Sequence, residues 1–297
     1  MQRFKLILNN PTFRLFIGAA LISLSAVWVK LVNTPPSVSA FYRVLFGGLA
    51  LSLFLLATRR KILLSKKIWL LLVVASFFLV LDLWFWHRSI VAIGPGLSTL
   101  LANLQVFIIM FAGVIFLRQF PTSSQLLALP LAIVGLFLIL DFDREYLSER
   151  YNSGIIYGLL TAVAYACYIL VLKSIRNISN YRIPTREVAI VSMMASFIFA
   201  IIVILEEGFI ELPVYKDVGW LLAYGILSHC LGWLFIVSSL SQVSAMQAGI
   251  ALLLQPTLSF FWDILFFDRF MTFYEIIGAI ITIAAIYLGT RTTSKQS

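Results

Sequence analysis

The residue in this sequence most suited to binding chemistry is Asp82, a carboxylate inside a long apolar stretch. It is the first acidic residue of the chain, and Trp86 follows it by one helical turn. A carboxylate beside an aromatic ring can hold an organic cation, and a buried carboxylate can also take up a proton. We therefore expect Asp82 and Trp86 to bind substrate. The alternative is a structural ion pair between Asp82 and Arg43 or Arg88.

Two glutamines occupy matching places in apolar stretches that lie 150 residues apart. Gln105 and Gln255 each follow a leucine, and Asn103 lies close to the first of them. An amide both donates and accepts hydrogen bonds, so the pair can orient a polar ligand of either sign. Pro256 lacks an N–H and frees a backbone carbonyl inside the helix. We expect the three amides to line a cavity, the alternative being hydrogen bonds between helices.

A histidine and several aromatic residues extend the candidate cavity. His229 lies in the middle of an apolar stretch, where its titration range suits a proton relay. The alternative is a core histidine that is hydrogen-bonded to a neighbouring helix. Trp233 lies one turn further on, and Tyr42 opens another apolar stretch. Together with other aromatic residues these can form an aromatic cavity, unless they anchor span ends at the membrane interface. The other aromatic residues are Trp28, Trp84, Trp86 and Tyr165.

Charged residues map towards the outer ends of the apolar stretches. Arg43, Arg88, Asp263 and Glu275 are the candidates for a gate or for coupling, and Glu275 replaces Gln125 of the earlier stretch. Ion pairs among them would close an outer gate when a carrier faces inward. The alternative is that long basic side chains extend to the lipid headgroups, which costs little free energy.

The elements that must position these residues are membrane helices. The chain is 61% hydrophobic and 12% charged over 297 residues, which excludes a soluble domain. Its apolar stretches are each about 20 residues long, enough to cross a hydrocarbon core. The predicted spans are 13–32, 38–57, 69–88, 96–117, 124–141, 154–173, 186–205, 217–238, 244–266 and 272–290. We expect an all-α integral membrane protein with ten transmembrane helices.

The distribution of charge predicts the orientation of these helices. The net charge of +9 is typical of nucleic-acid binding, but the positive residues are concentrated in alternate loops. Segments on one side hold mostly Lys and Arg with a single acid, Glu187, and segments on the other side hold mostly Asp and Glu. This asymmetry predicts a multi-pass protein of a bacterial-type inner (plasma) membrane with both termini cytoplasmic. It argues against a nucleic-acid partner.

The sequence repeats itself at an interval of 150 residues. Residues 92–140 and 242–290 share one apolar and polar layout without a gap, including Leu104-Gln105 and Leu254-Gln255. Each half then holds five spans, an odd number, so the second copy must insert upside down. We expect two inverted five-helix repeats, 1–145 and 146–297, in one membrane domain. Inverted repeats of this kind are typical of carriers that bind substrate between their halves.

The order of motifs resembles the EamA-like branch of the drug/metabolite transporter superfamily. Three stretches carry the resemblance: Ala40-Phe41-Tyr42-Arg43, Asp82 to Gln105, and Leu252 to Ala279. The family usually shows a Gly-Glu pair at the ends of spans 4 and 9. At the Glu positions of these pairs this chain has Arg118 and Asp268. The resemblance implies ten spans in two inverted halves that work by alternating access. It does not imply a substrate, because the family carries amino acids, nucleotides, amines and drugs.

Signatures of enzymes are absent from the sequence. It contains no His-Glu-x-x-His, no Gly-x-Ser-x-Gly, no Cys-x-x-Cys and no phosphate-binding glycine loop. We expect no enzyme activity, no cofactor and no metal, and partners limited to a small-molecule substrate, membrane lipid and a possible homodimer. The predicted function is secondary transport of small organic metabolites such as amino acids, amines or nucleoside-like compounds. The main alternative is a non-transporting membrane scaffold or sensor. An intramembrane enzyme and a channel are further alternatives.

Overall fold

A computed structural model of the chain describes residues 10–58, 64–139, 149–179, 184–267 and 272–290, except for the side chains of residues 95–97, 117, 139 and 263. The regular structure in these ranges is helical. The helices are α1 Pro11–Leu31, α2 Pro36–Ala57, α3 Lys66–Gly94, α4 Ser98–Phe116, α5 Ser123–Ile139, α6 Glu149–Ile178, α7 Thr185–Glu207, α8 Tyr215–Ser239, α9 Ala245–Phe267 and α10 Phe273–Thr290.

Among the described residues, nine of these helices are long and apolar enough to cross a membrane, and α5 is a shorter apolar helix. A helix satisfies all its backbone hydrogen bonds internally, which lipid requires of any spanning segment. Large apolar side chains such as Phe77, Phe197 and Leu265 point outward from the bundle. The protein is therefore a multi-pass membrane protein, as the sequence predicts.

Local sequence determines where the helices begin and end. Asn10 caps α1, because its Oδ1 accepts from the backbone N–H groups of Thr12 at 2.9 Å and Phe13 at 3.3 Å. Ser244 and Gln247 form a capping box at the start of α9. Gly94 ends α3 at φ +80°, a left-handed conformation that glycine adopts without strain. These signals give the short connections that bring consecutive helices together.

Most helices of the first half pack against helices of the second half. The principal pairs are α3 with α6, α2 with α7, α5 with α10 and α1 with α8. Small residues bring α5 and α10 into close contact within the chain, since a Cβ added at Gly289 would lie 2.9 Å from Ala128 Cβ. A homodimer remains a prediction, and these small residues serve packing inside one chain.

Helices α2 and α8 approach each other through two glycines. A Cβ built on Gly225 would lie 2.6 Å from Phe46 Cβ and 2.9 Å from the backbone nitrogen of Gly47. A Cβ on Gly47 would in turn lie 2.8 Å from the carbonyl oxygen of Gly225. This contact places the middle of α2 directly beside the first half of α8.

We expect Gly225→Ala to destabilise the protein by about 1–3 kcal/mol, because the new methyl group overpacks a backbone contact. Thermal unfolding in detergent measures the effect. Gly219→Ala on the same helix is the matched control, since nothing lies within 4 Å of its added Cβ, and there alanine should be neutral or slightly stabilising. Equal unfolding temperatures for the two variants would contradict the close contact.

Candidate functional site

A polar cavity lies inside the bundle, between the two halves of the chain. It encloses about 510 Å³, the space at its mouth included, and its walls come from α1, α2, α3, α4, α6, α8 and α9. Seven of the residues that the sequence singles out line it: Arg43, Asp82, Trp86, Asn103, Tyr165, Trp233 and Gln255.

Asp82 is the acidic group of the cavity. Its side chain is buried, with 8% exposure, and Trp86 lies beside it on the same face of α3. Within the part of the chain that the structure describes, the carboxylate forms neither a hydrogen bond nor an ion pair with Arg43 or Arg88. An unpaired buried carboxylate is costly in an apolar surrounding. Asp82 is therefore available to a cationic group or a proton that enters the cavity.

Arg43 is the basic group of the same cavity, and α8 holds it in place. Its Nη1 donates a hydrogen bond of 3.0 Å to the Tyr224 hydroxyl, and its Cζ lies 4.8 Å from the Tyr224 ring centroid. The residue is 4% exposed. Buried and held by these contacts, the guanidinium is a fixed charge of the cavity. The side chains of the cavity thus include one acid and one base.

Neutral polar and aromatic groups form the remaining walls. Gln255 Nε2 donates to the Tyr165 hydroxyl at 2.9 Å, and Asn103 Nδ2 donates to the Thr99 carbonyl at 2.7 Å. The Trp233 ring packs edge-on against Tyr165 at 6.0 Å. Trp233 Nε1 and Asn103 Oδ1 are buried and have no hydrogen-bond partner among the described protein groups. These walls combine apolar rings with a hydrogen-bond donor and an acceptor.

Three predicted binding residues, Gln105, His229 and Tyr42, lie outside this cavity lining. Gln105 is fully buried, and neither amide atom has a partner among the described residues. Only Gln255 of the predicted glutamine pair lines the cavity. His229 lies in a π-helical turn of α8, Tyr224–Leu231, where its Nε2 is 2.8 Å from the Ser192 hydroxyl. It is fully buried between α2 and α7, the position expected of a core histidine.

The predicted gate residues lie in separate places. Arg88 pairs with Glu206 of α7, with 2.5 Å between Nη2 and Oε1. Tyr42, which we expected in the cavity, donates instead to the Glu211 carbonyl at 2.8 Å. Glu275 Oε2 accepts from the Thr272 N–H at 2.7 Å and so caps α10. The side chain of Asp263 lies outside the described residues.

The cap at Glu275 repeats in the first half of the chain. Gln125 Oε1 accepts from the Thr122 N–H at 3.1 Å at the start of α5. The Thr-x-x-Glu/Gln pattern is a helix-start signal that is visible in the sequence at both places. Glu275 and Gln125 therefore share a capping function at the starts of α10 and α5.

Several small polar residues of the cavity were missed by the sequence analysis. They are Ser23, Ser25, Thr99, Thr161 and Ser259. Hydroxyl residues often bond to the carbonyl four residues earlier in their own helix, so their presence in a span does not indicate a site. Thr161 does so, donating to the Tyr157 carbonyl at 2.9 Å. Hydroxyl residues alone therefore do not reveal this part of the cavity, and an interruption of the neighbouring helices would be a better signal.

Such breaks occur in three of the helices that line the cavity. The helical hydrogen-bond pattern is interrupted at Leu24 in α1, at Leu104 in α4 and at Leu253 in α9. Ser259 Oγ donates to the Ser23 carbonyl at 3.0 Å, which satisfies a group beside the first break. At these residues the backbone keeps right-handed helical dihedral angles and tightens by one turn position, for example with the Leu104 N–H donating to the Leu101 carbonyl at 3.1 Å.

A bundle of apolar helices around a cavity with one acidic and one basic side chain is the structure of a membrane protein with an internal polar site. The EamA-like transporter family matches the chain twice, over residues 12–141 and 152–291. The chain belongs to this family of small-molecule transporters, and so to the drug/metabolite transporter superfamily, which confirms the resemblance that the sequence motifs show. No curated protein matches the sequence.

The fold is also found in a solved structure described only as "Crystal structure of protein". The two superimpose with a TM-score of 0.81 at 16% sequence identity, covering 94% of this chain and 98% of that chain. Because the identity is low, the likeness supports the fold and carries no information on the substrate.

Proposed function

We propose that this protein is a secondary carrier that moves small organic metabolites across a bacterial-type inner membrane by alternating access. The observation that carries the proposal is the cavity that Asp82 and Arg43 both line without forming an ion pair with each other. Both halves of the chain contribute to its walls, with Trp86 and Asn103 from the first and Trp233 from the second. A site shared by two halves can change its exposure when the halves move against each other.

The arrangement of helices supports two inverted five-helix repeats, 1–145 and 146–297. Each helix can be replaced by its counterpart in the other repeat, for example α1 by α6 and α8 by α3. The pair α1–α8 then becomes α6–α3, which is also observed, and the pairs α2–α7 and α5–α10 become themselves. This pairing is what a two-fold axis between the repeats produces. With five spans in each repeat and the basic segments on one side, the repeats run in opposite directions and both termini are cytoplasmic.

The cavity favours solutes with an amine group or with mixed charge, such as amino acids, amines or nucleoside-like compounds. The carboxylate of Asp82 can hold an ammonium group, and the Trp86 ring beside it adds a cation–π contact. Tyr165 and Trp233 present flat rings and hydrogen-bonding atoms to the uncharged part of the solute. Binding of a simple inorganic ion alone would leave these aromatic walls unused.

Two measurements on the purified protein test this function. A thermal-shift screen with a library of amines, amino acids and nucleosides should reveal ligands, since a ligand that binds the folded state raises its unfolding temperature. Solutes that give a shift are then tested, labelled, for flux into liposomes that contain the protein. A scaffold or sensor that binds a ligand would give the shift without the flux. No shift and no flux for any amine or zwitterion would contradict the proposal.

A further inference from the structure

Arg43 and Asp82 line the same cavity with opposite charges, yet within the described residues they do not form an ion pair. Opposite charges in an apolar surrounding attract each other strongly, so Arg43 must be held elsewhere. Tyr224 is the residue that holds it. The hydroxyl oxygen of Tyr224 accepts from Arg43 Nη1 at 3.0 Å, and the ring lies under the guanidinium, 4.8 Å from Cζ to the ring centroid.

The direction of each hydrogen bond around Tyr224 follows from its neighbours. His87 Nδ1 is 2.7 Å from the Leu83 carbonyl oxygen, which can only accept, so Nδ1 carries the hydrogen. Nε2 of the neutral ring is then an acceptor, and the Tyr224 hydroxyl lies 3.5 Å from it. These contacts are compatible with an ordered chain: Arg43 donates to Tyr224, the Tyr224 hydroxyl can donate to His87 at the long end of hydrogen-bond distance, and His87 donates to Leu83.

The helix contact at Gly225 brings this chain together. Arg43 lies one helical turn before Gly47 on α2, and Tyr224 directly precedes Gly225 on α8. The close approach of the two glycines therefore sets the Tyr224 ring against the Arg43 side chain. Tyr224 is also the first residue of the π-helical turn Tyr224–Leu231. Turns of this kind are rare and occur frequently at functional sites.

We propose that Tyr224 is a positioning residue of the binding site and that His87 orients its hydroxyl. By holding Arg43, Tyr224 prevents the guanidinium from neutralising Asp82 in the empty cavity. The carboxylate then remains free for the cationic group of a solute, and the guanidinium remains a second, separate charge. The proposal rests on the proposed function only for its consequence in transport, because the positions of the two charges can be tested without any solute.

Tyr224→Phe is the test, because it removes the hydroxyl and keeps the ring under Arg43. Once released, Arg43 is expected to pair with Asp82 and compete with the solute. The KM for transport should rise roughly tenfold, because the loss of a hydrogen bond to a charged group changes an equilibrium constant by about that factor. The maximal rate should be retained, since only binding in the ground state is weakened.

Tyr157→Phe is the matched control. It removes a phenolic hydroxyl from α6, where the ring packs against Phe85 at 6.1 Å between centroids and does not line the cavity. Its KM should equal that of the wild type. An equal rise in both variants, or an unchanged KM in Tyr224→Phe, would overturn the proposal.

A structure of the Tyr224→Phe variant, determined in detergent without solute, gives a readout that is independent of transport. We expect the Arg43 guanidinium to move into contact with the Asp82 carboxylate. Arg43 left in its present place would overturn the proposal whatever the KM. If Arg43 moves but the wild-type protein carries no solute, the positioning function holds and the transport function fails.

A second variant covers the case in which Tyr224→Phe does not fold. His87→Phe keeps a ring of similar size and removes the acceptor of the Tyr224 hydroxyl. It should shift Arg43 and raise KM in the same direction, by a smaller factor. A wild-type position of Arg43 and a wild-type KM in this variant would count against the ordered chain.

Discussion

Replacing Asp82 by asparagine is expected to abolish transport of cationic and zwitterionic solutes. At low solute concentration the flux should fall by about 30-fold or more, because removing one partner of a buried charge contact costs roughly 2–5 kcal/mol. The shape of the site is retained, since the two side chains are nearly isosteric. Initial rates of labelled solute entering liposomes give the measurement.

Asp217→Asn is the matched control for this prediction. Asp217 is as buried as Asp82, with 8% exposure each, but it lies at the start of α8 and accepts from the Asn33 N–H at 3.4 Å. It does not line the cavity. Its replacement should leave the flux near the wild-type value. A wild-type flux in Asp82→Asn would remove Asp82 from both the binding and the coupling roles.

The helices of this fold can be predicted from sequence because the membrane leaves few alternatives. An apolar stretch of about 20 residues must satisfy its backbone hydrogen bonds internally, and a helix is the way a single segment does so. The stretch 69–88 accordingly lies inside α3, and 186–205 inside α7. The ends are predicted less well, since α3 and α6 extend beyond the predicted stretches 69–88 and 154–173 at both ends.

The site is harder to predict, because it depends on the rotation of each helix. The repeat aligns Gln105 with Gln255, but the break in α4 falls at Leu104 and the break in α9 at Leu253. In the repeat alignment these breaks are one residue apart, and one residue corresponds to about 100° of helix rotation. The two repeats therefore differ locally at this point, and only Gln255 lines the cavity.

The charged residues of the site show what composition can and cannot indicate. Asp82 and Arg43 were recognisable because a charge deep in an apolar stretch almost always faces the interior of a bundle. Tyr224 was not recognisable, because a tyrosine in a span is ordinarily an interfacial anchor or part of the core. Its importance comes from the contact between α2 and α8, which brings together residues that are 181 positions apart in the chain.

A covalent bridge between positions 88 and 206 is expected to stop transport. In this structure Glu206 receives hydrogen bonds from Arg88 at 2.5 Å, from Ser37 at 2.6 Å and from Trp84 at 3.0 Å. These contacts join α2 and α3 of the first half to α7 of the second, at the end of the bundle that the charge pattern predicts to be outer. Alternating access requires the halves to separate at this end, and a bridge prevents that separation.

The experiment uses Arg88→Cys with Glu206→Cys in a chain whose native cysteines, Cys167 and Cys230, are replaced by alanine. A bifunctional methanethiosulfonate joins the two cysteines through disulfides, which can be reduced afterwards. Its flexible spacer spans the distance that the arginine and glutamate side chains bridge in the native protein. Both native side chains are partly exposed, at 22% and 29%, so the reagent can reach the cysteines. Flux should fall to that of protein-free liposomes and recover on reduction.

The two single-cysteine variants, treated with the same reagent, separate bridging from simple modification. They should retain their flux, because a reagent attached at one end does not join the halves. Transport at the untreated rate in the bridged protein would show that α3 and α7 need not separate. The contacts of Glu206 would then be a fixed brace of the bundle, and the solute would have to reach Asp82 by movements elsewhere in the protein.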